Sequence, residues 1–284
     1  MRVSLTSAER RVAAAAPEID RYMMGDGEGR VAAYRAARRR YVEWRLERYG
    51  YTSPGPRFTT SGFSQHKLSL NPVPSTGIML LPARRAVSRM NLCPAATSCE
   101  EVCLTDTGRS GMLSDTLAQE ARTVFLLEHP ADAMVLALHE ALQGALHRPN
   151  TTSDIRWEFA LPSYISALQS SGVGVYDYTK WAARLRGGLY PLTWSATERM
   201  SVGDIQGIVG DGRNVAVVFV ESKRRVQDAV REGFRWHGMP LVDGIGTDYR
   251  LSDPPGSIVA LAALGKRSQI LQAQRSGFVR SLYA

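Results

Sequence analysis

The three cysteines of the 284-residue chain, Cys93, Cys99 and Cys103, all fall in the stretch NLCPAATSCEEVCLTDTGR at 91–109, with the spacing C-x5-C-x3-C. Thiolates bind soft or borderline metals, chiefly Zn²⁺ and iron–sulfur clusters. An odd number of cysteines behind an N-terminus, MRVSLTSAERR, that has no apolar signal core argues against a disulfide framework and leaves reduced thiols available for metal. A closed zinc site takes four ligands. With no fourth cysteine, one of His66, His129, His139 and His147 would have to complete it, and none stands at the short spacing of a zinc knuckle. Three cysteines around a [4Fe–4S] cluster instead leave one iron open for a substrate or cofactor. The plainer reading, buried cysteines acting as small hydrophobes, fits poorly with the flanking Pro94, Glu100, Glu101 and Thr105.

The elements that must position this motif begin near Gly77. Apolar, β-branched segments at 78–83 (IMLLPA), 154–161 (DIRWEFAL), 174–179 (GVYDYT), 192–196 (LTWSA), 215–220 (VAVVFV), 241–245 (LVDGI) and 258–264 (IVALAAL) alternate with helical patterns, including a helix or helix pair across 115–147. Strands separated by helices point to βα units and a parallel sheet. The expected fold is α/β, a partial or compressed TIM-type (βα) barrel with an N-terminal helical extension, and an open doubly wound sheet is the alternative. The expected domains are a basic helical extension at 1–56 and a barrel-like domain at 57–284 that carries the cysteine motif.

In both architectures the site forms at the carboxyl ends of the strands. The cysteine loop follows the first expected strand there, and Asp154, Asp177, Lys180, Glu198, Glu221, Asp243 and Lys266 stand at or after later strand ends. Asp154, Asp177, Lys180 and Asp243 are the candidates for binding or protonating a substrate. Any one of them is equally an ordinary solubilising loop charge; their recurrence over successive strands carries the reading. Lys180 and Lys266 are candidate anion clamps. Other signals are weak: GVGVYD lacks a dinucleotide fingerprint, the spacing of Asp243, Asp248 and Asp253 does not fit a calcium loop, Ser195 has no histidine pair, and His237 reads as a loop or core residue.

The formal net charge is +8, and residues 1–60 hold 12 arginines against 7 acids, a surplus of +5. Helical spacing predicts a helix from Ser7 to Met24, a break at GDGEG (25–29) and a second helix from about Glu28 to Tyr49. On the second helix Tyr41 and Trp44 interleave with Arg38 and Arg45, a pattern able to grip phosphates and stack bases. A packing helix whose arginine stems lie over its own apolar stripe has the same pattern. YTSPGP at 51–56 reads as a linker. No apolar run approaches the roughly 20 residues that span a bilayer, so no membrane partner is expected, and a cytoplasmic protein is (the host cytoplasm if phage-encoded).

NLCPAATSCEEVCLTDTGRSG, RPNTTSDIRWE, VYDYTK, NVAVVF and DGIGTDYRLSDP together resemble a bacteriophage protein family that keeps a C-P-x4-C-x3-C segment, an Asn–Ser–Asp segment and a Tyr-Asp-Tyr-Thr-Lys segment in this order. The resemblance spans about residues 67–266. It implies a shared site that adds Asn150, Ser153 and Asp248, taken as cofactor-binding candidates, to the cysteines, Asp154, Asp177, Lys180 and Asp243. The number and placement of the cysteines resemble those of radical S-adenosylmethionine enzymes, which implies a [4Fe–4S] cluster with S-adenosylmethionine. The spacing departs from that family's C-x3-C-x2-C, and no Gly-Gly-Glu-type segment follows. The expected fold and basic character are similar to the tRNA-guanine transglycosylases and the phage DNA transglycosylases that insert 7-deazaguanines. That likeness implies structural zinc and an aspartate nucleophile, Asp154 or Asp243, although their cysteine segment lies late in the chain. Three functions are thus expected: an iron–sulfur enzyme modifying a nucleic acid or nucleotide in a phage context, a zinc-containing base-exchange enzyme, or a non-enzymatic phage protein that binds a host factor.

Overall fold

The computed structural model describes residues 4–50, 57–61, 66–82, 90–103, 113–182, 184 and 188–283, with only the backbone for Ser61, His66, Lys67 and Glu101. The helices are α1 Ser7–Ala13, α2 Ala16–Met24, α3 Gly27–Tyr49, α4 His66–Ser69, α5 Leu113–Glu128, α6 Pro130–Ala141, α7 Trp157–Ala160, α8 Pro162–Ser170, α9 Val202–Gly210, α10 Lys223–Arg231 and α11 Arg267–Arg275, with a 3-10 turn at Ser98–Val102. The strands are β1 Thr60–Ser61, β2 Ser75–Gly77, β3 Leu146–Arg148, β4 Gly174–Val175, β5 Asp177–Thr179, β6 Leu192–Ser195, β7 Val215–Phe219, β8 Arg235–Trp236, β9 Met239–Asp243, β10 Ile258–Ala262 and β11 Val279–Arg280. The protein is mixed α/β with parallel sheets. It divides into two compact units, residues 1–65, 73–93 and 116–175 in the first, and 66–72, 94–115 and 176–284 in the second.

The first unit is built around α6, whose Ala133–Leu138, Glu140 and Ala141 are all buried. A helix apolar on nearly every side must be enclosed, and α2, α3 and α8 pack on it. The N-terminal helix expected over 7–24 is two helices. Thr6 caps the first and forms a capping box with Glu9, and Pro17 opens α2, where its missing N–H costs nothing. Asp26 caps α3, and Gly50 ends it at φ 63°, a conformation costly for any residue with a Cβ. The buried Glu9 carboxylate receives Arg156 Nε at 2.8 Å and Nη2 at 2.6 Å, fixing α1 against the 149–156 segment.

The sheet of this unit runs β1-β2-β3-β4, antiparallel at β1/β2 and parallel elsewhere, with α5 and α6 crossing between β2 and β3 and α7 and α8 between β3 and β4. The expected strand at 78–83 is displaced: β2 ends at Gly77, and Ile78–Leu81 follow as buried irregular backbone. Ile78 still bonds the backbone of Arg148 and Thr151, and beyond it side-chain hydroxyls take over, Thr152 Oγ1 accepting from Leu80 N at 3.1 Å and Thr123 Oγ1 from Leu81 N at 2.8 Å. The segment at 154–161 is a helical turn, α7, rather than a strand. Its last bonds run Ala160 N to Arg156 O and Leu161 N to Trp157 O, and Pro162 starts α8 at once.

The second unit carries the strand order β5-β6-β7-β10-β9-β8, parallel throughout except for the β8–β9 hairpin. His237 (φ 48°) and Gly238 (φ 82°) make its two-residue turn, so His237 is a loop residue. Val215, Val217 and Phe219 face α9 and α10 through Ile205, Val209, Val226 and Ala229. Val218 and Val220 face the opposite way, against α11 and the 3-10 turn. β10 occupies one edge of β7 along its length. The other edge is shared, by β6 at Val215 and Ala216 and by β11 at Val218 and Phe219. The chain therefore leaves β7 toward β9 on one side and leaves β10 toward β11 on the other, a topological switch point of the kind where parallel sheets receive ligands. Among the described residues no helix is long and apolar enough to cross a membrane.

Candidate functional site

Cys99 and Cys103 lie in the second unit. Both are reduced and partly exposed, Cys99 within the 3-10 turn and Cys103 directly after it. Cys99 packs with Val102 in a cluster that includes Val218, Val220, Ala263, Ile270 and Phe278. These residues place the turn at the carboxyl ends of β7 and β10, the two strands of the switch point. Thr97 precedes the turn at its N-cap, but its hydroxyl caps nothing; it donates instead to Glu198 Oε2 at 2.7 Å. Glu198 lies three residues beyond β6. Its backbone is clamped by Arg280 of β11, whose Nη2 donates to Thr197 O at 3.2 Å and Met200 O at 2.7 Å.

Cys93 belongs to the first unit and is buried. Its N–H donates to Asn91 Oδ1 at 2.9 Å, and the carbonyl of Leu92 accepts from Asp154 N at 2.8 Å. Asn150 Oδ1 gathers Ser153 Oγ (2.8 Å), Ile155 N (2.9 Å) and Trp157 Nε1 (3.1 Å), while its amide donates to Ile155 O. Asn150 and Ser153 thereby shape the loop that sets the buried Asp154 beside the Cys93 segment. Among the described residues no group of three or more His, Cys, Asp or Glu side chains is assembled to hold a metal ion. The thiols fit a soft metal in kind.

At β5 the fully buried Asp177 carboxylate lies 3.7 Å from Arg184 Nη2. Tyr190 stands between them, its hydroxyl accepting from Arg184 Nη2 at 2.6 Å and donating to Asp177 Oδ2 at 3.5 Å. Lys180 is half-buried one residue past β5. Asp248 accepts from Tyr176 (2.7 Å) and Tyr178 (3.3 Å), and its N–H donates to Asn71 Oδ1 at 2.9 Å. The loop after β9 thus returns to β5, although β6, β7 and β10 lie between those strands in the sheet. Asp243 is engaged in its own turn, accepting from Ile245 N, Gly246 N and Gln227 Nε2. Arg250 Nη2 donates to Asp243 O and Thr247 O, and its Nη1 lies 3.1 Å from Asp253. Burial pushes the Asp253 carboxyl up to about 6; the Arg250 charge opposes this and that of Asp248 adds to it.

The candidate histidine ligands are variously engaged. His147 is fully buried between Thr76 Oγ1 and Tyr164 OH, each 2.8 Å away, and burial lowers its pKa to about 3. His139 Nδ1 meets Tyr22 OH at 2.7 Å, and its ring stacks on Tyr34. His129 packs on Phe125 and Trp44. The side chain of His66 lies outside the described residues. On α3, the Tyr41 ring is buried against Phe58 and Phe125, Arg45 is buried over that ring, and Trp44 packs on Phe125 and donates to Glu128. Arg38 is partly exposed. Packing accounts for the alternation of aromatics and arginines on this helix. Sequence reasoning missed Arg184, Tyr190, Arg250 and Asp253 as members of the polar clusters, and it did not connect Glu198 to the cysteines.

These features define a mixed α/β protein with a thiol-bearing turn at a parallel-sheet switch point. The chain matches the family model described as Gene product 88 over residues 44–282 and belongs to that family, one of bacteriophage proteins. The match starts inside α3 and takes in every strand, all three cysteines and both polar clusters. No match was found among curated proteins or among solved structures.

Proposed function

We propose that this bacteriophage protein is an iron–sulfur enzyme, radical S-adenosylmethionine-like, that modifies a nucleic acid or nucleotide. The observation that carries this reading is the packing of the Cys99–Cys103 turn at the carboxyl ends of β7 and β10. Cys99 and Cys103 would hold the cluster, with Cys93 as the third thiolate by the C-x5-C-x3-C spacing. A cluster so held supplies an open iron for S-adenosylmethionine. In this reading Asp154, Asp177, Lys180 and Asp243 bind or protonate the substrate, and Asn150, Ser153 and Asp248 serve the cofactor. The barrel-type fold belongs to the same proposal, supported by the parallel strands of both sheets. A polyanionic substrate is supported by Lys223, Arg224 and Arg225 at the start of α10 and by Lys266 and Arg267 at the start of α11. All five are exposed, no acid stands in either first turn, and both helices follow the carboxyl ends of the switch-point strands.

The test is metal and sulfide analysis with an absorption spectrum, on the protein isolated without oxygen. Iron and sulfide in equal amounts with broad visible absorption, both lost in Cys99→Ser and Cys103→Ser, is the expected result. A colourless protein with stoichiometric zinc would overturn the reading in favour of base exchange, with Asp154 or Asp243 as nucleophile. A metal-free protein would favour the binding of a host factor.

A further inference from the structure

We infer that Glu198 is the positioning residue of the cysteine turn, holding Cys99 and Cys103 at the switch point through the hydroxyl of Thr97. The inference deepens the reading above and rests on the turn being the functional centre. Threonine at an N-cap ordinarily turns its oxygen onto the free N–H groups of its own helix. Thr97 occupies the N-cap of the cysteine turn and makes no such bond. Its hydroxyl donates to Glu198 Oε2 at 2.7 Å, a partner 101 residues away in sequence. A local bond has been given up for a long-range one, and a hydrogen bond to a carboxylate is stronger than one between neutral groups.

The far end of this tie is itself fixed. Arg280 donates to the carbonyls of Thr197 and Met200, on either side of Glu198. Arg280 lies on β11, which pairs with β7 at Val218 and Phe219, and α11, just before it, packs on the cysteine turn. The chain is thus closed from β7 through β11, Arg280 and Glu198 to Thr97 and back to β7 through Cys99. Arg199, also near Glu198, is 3.8 Å away and 80% exposed, so it competes weakly for the carboxylate. Without the tie, the start of the turn would lose its bond to the loop that follows β6 and keep the apolar packing of Cys99 and Val102, and such packing fixes position without fixing rotation.

The experiment reads alkylation of each thiol by mass spectrometry in the full chain, reduced and treated with chelator, so that bound metal has no influence. Thr97→Val and Glu198→Ala are expected to speed labelling of Cys99 and Cys103 by about tenfold, the effect of losing one hydrogen bond to a charged group. Thr97→Ser and Glu198→Gln keep the donor and an acceptor and should label close to the wild-type rate. Cys93 is the internal control, and its rate should not change. Unchanged rates at Cys99 and Cys103 in Thr97→Val would overturn the proposal. So would equal acceleration at all three cysteines, which reports general loosening. Metal analysis of the wild-type protein is read separately, and a metal-free result there would sink the iron–sulfur reading while leaving the labelling comparison intact.

Discussion

The Arg184 guanidinium lies 3.7 Å from the Asp177 carboxylate, with both side chains fully buried and the Tyr190 hydroxyl bonded to each. Breaking a buried pair from one side leaves an uncompensated charge and costs about 3–5 kcal/mol, whereas replacing both partners costs far less. Asp177→Asn and Arg184→Met should therefore each destabilise the protein strongly, and the double variant should lose less than the sum of the two. Urea unfolding of the four proteins checks this. Additive losses would mean that the two groups act independently.

His147 makes the stability of the first unit sensitive to acid. The neutral His147 ring has one nitrogen to donate and one to accept, which the hydroxyls of Thr76 and Tyr164 satisfy, whereas the imidazolium would donate from both. Burial holds the folded pKa near about 3, against about 6.5 in the unfolded chain. Between these values the unfolded state binds the extra proton, so this contribution is lost as pH falls, by up to about 1.4 kcal/mol per pH unit. The imidazole should show no titration between pH 5 and 8 by NMR, and His147→Gln should lose less stability than the wild type does as pH falls below 6.5. A histidine that titrates near 6.5 would contradict the buried chain.

Asp253 works in the opposite direction. Its folded pKa of about 6 exceeds the unfolded value of about 3.9, so the folded state holds the proton more tightly and stability falls as pH rises from about 4 to about 6. Above that range the ionised carboxylate costs at most about 3 kcal/mol, with the Arg250 attraction already counted and solvent screening reducing it further. Asp253→Asn should gain stability relative to the wild type over this window and hold a constant difference at higher pH. Because the His147 and Asp253 contributions oppose each other between pH 4 and 6, the wild-type profile should be flatter than that of either variant. Thermal melts of the three proteins at pH 4.5, 6 and 7.5 separate the two terms.

Much of the local structure could be read from the sequence, because it follows from periodicity and capping. The second basic helix runs from Gly27 to Tyr49 as the pattern from Glu28 implied, and the apolar run at 215–220 is β7, central in its sheet. What failed depended on distant partners. Ile78–Leu81 has strand composition, yet the hydroxyls of Thr152 and Thr123 take the N–H groups of Leu80 and Leu81, and neither can be located from the run itself. Tyr41 and Trp44 look alike whether they stack on bases or pack on Phe125; the choice is made by α5, 80 residues on. In the site, the cysteine spacing and the Asn–Ser–Asp segment were visible as motifs. Arg184 and Glu198 were not, because a single charged residue carries no signal until the fold supplies its carboxylate or its threonine.

The nucleic-acid part of the proposal turns on which cations a polyanion meets. On α3 the Tyr41 face is covered, Arg40 is paired with Asp132 and Arg48 with Glu128, while Arg35 and Arg39 stay exposed. Lys223, Arg225, Lys266 and Arg267 stand exposed where α10 and α11 begin, and Arg224 is 91% exposed with Asp228 3.9 Å away. Each phosphate neutralised by such a cation adds roughly 0.7 to the slope of log affinity against log salt for a single strand. Replacing Arg224, Arg225 and Arg267 by alanine should therefore weaken binding of a single-stranded oligonucleotide and lower that slope by about 2. Arg38→Ala should change the slope by less than one phosphate's worth. The reverse pattern would move the contact to α3, and an absence of salt-dependent binding in the wild type would remove nucleic acid from the proposed substrates.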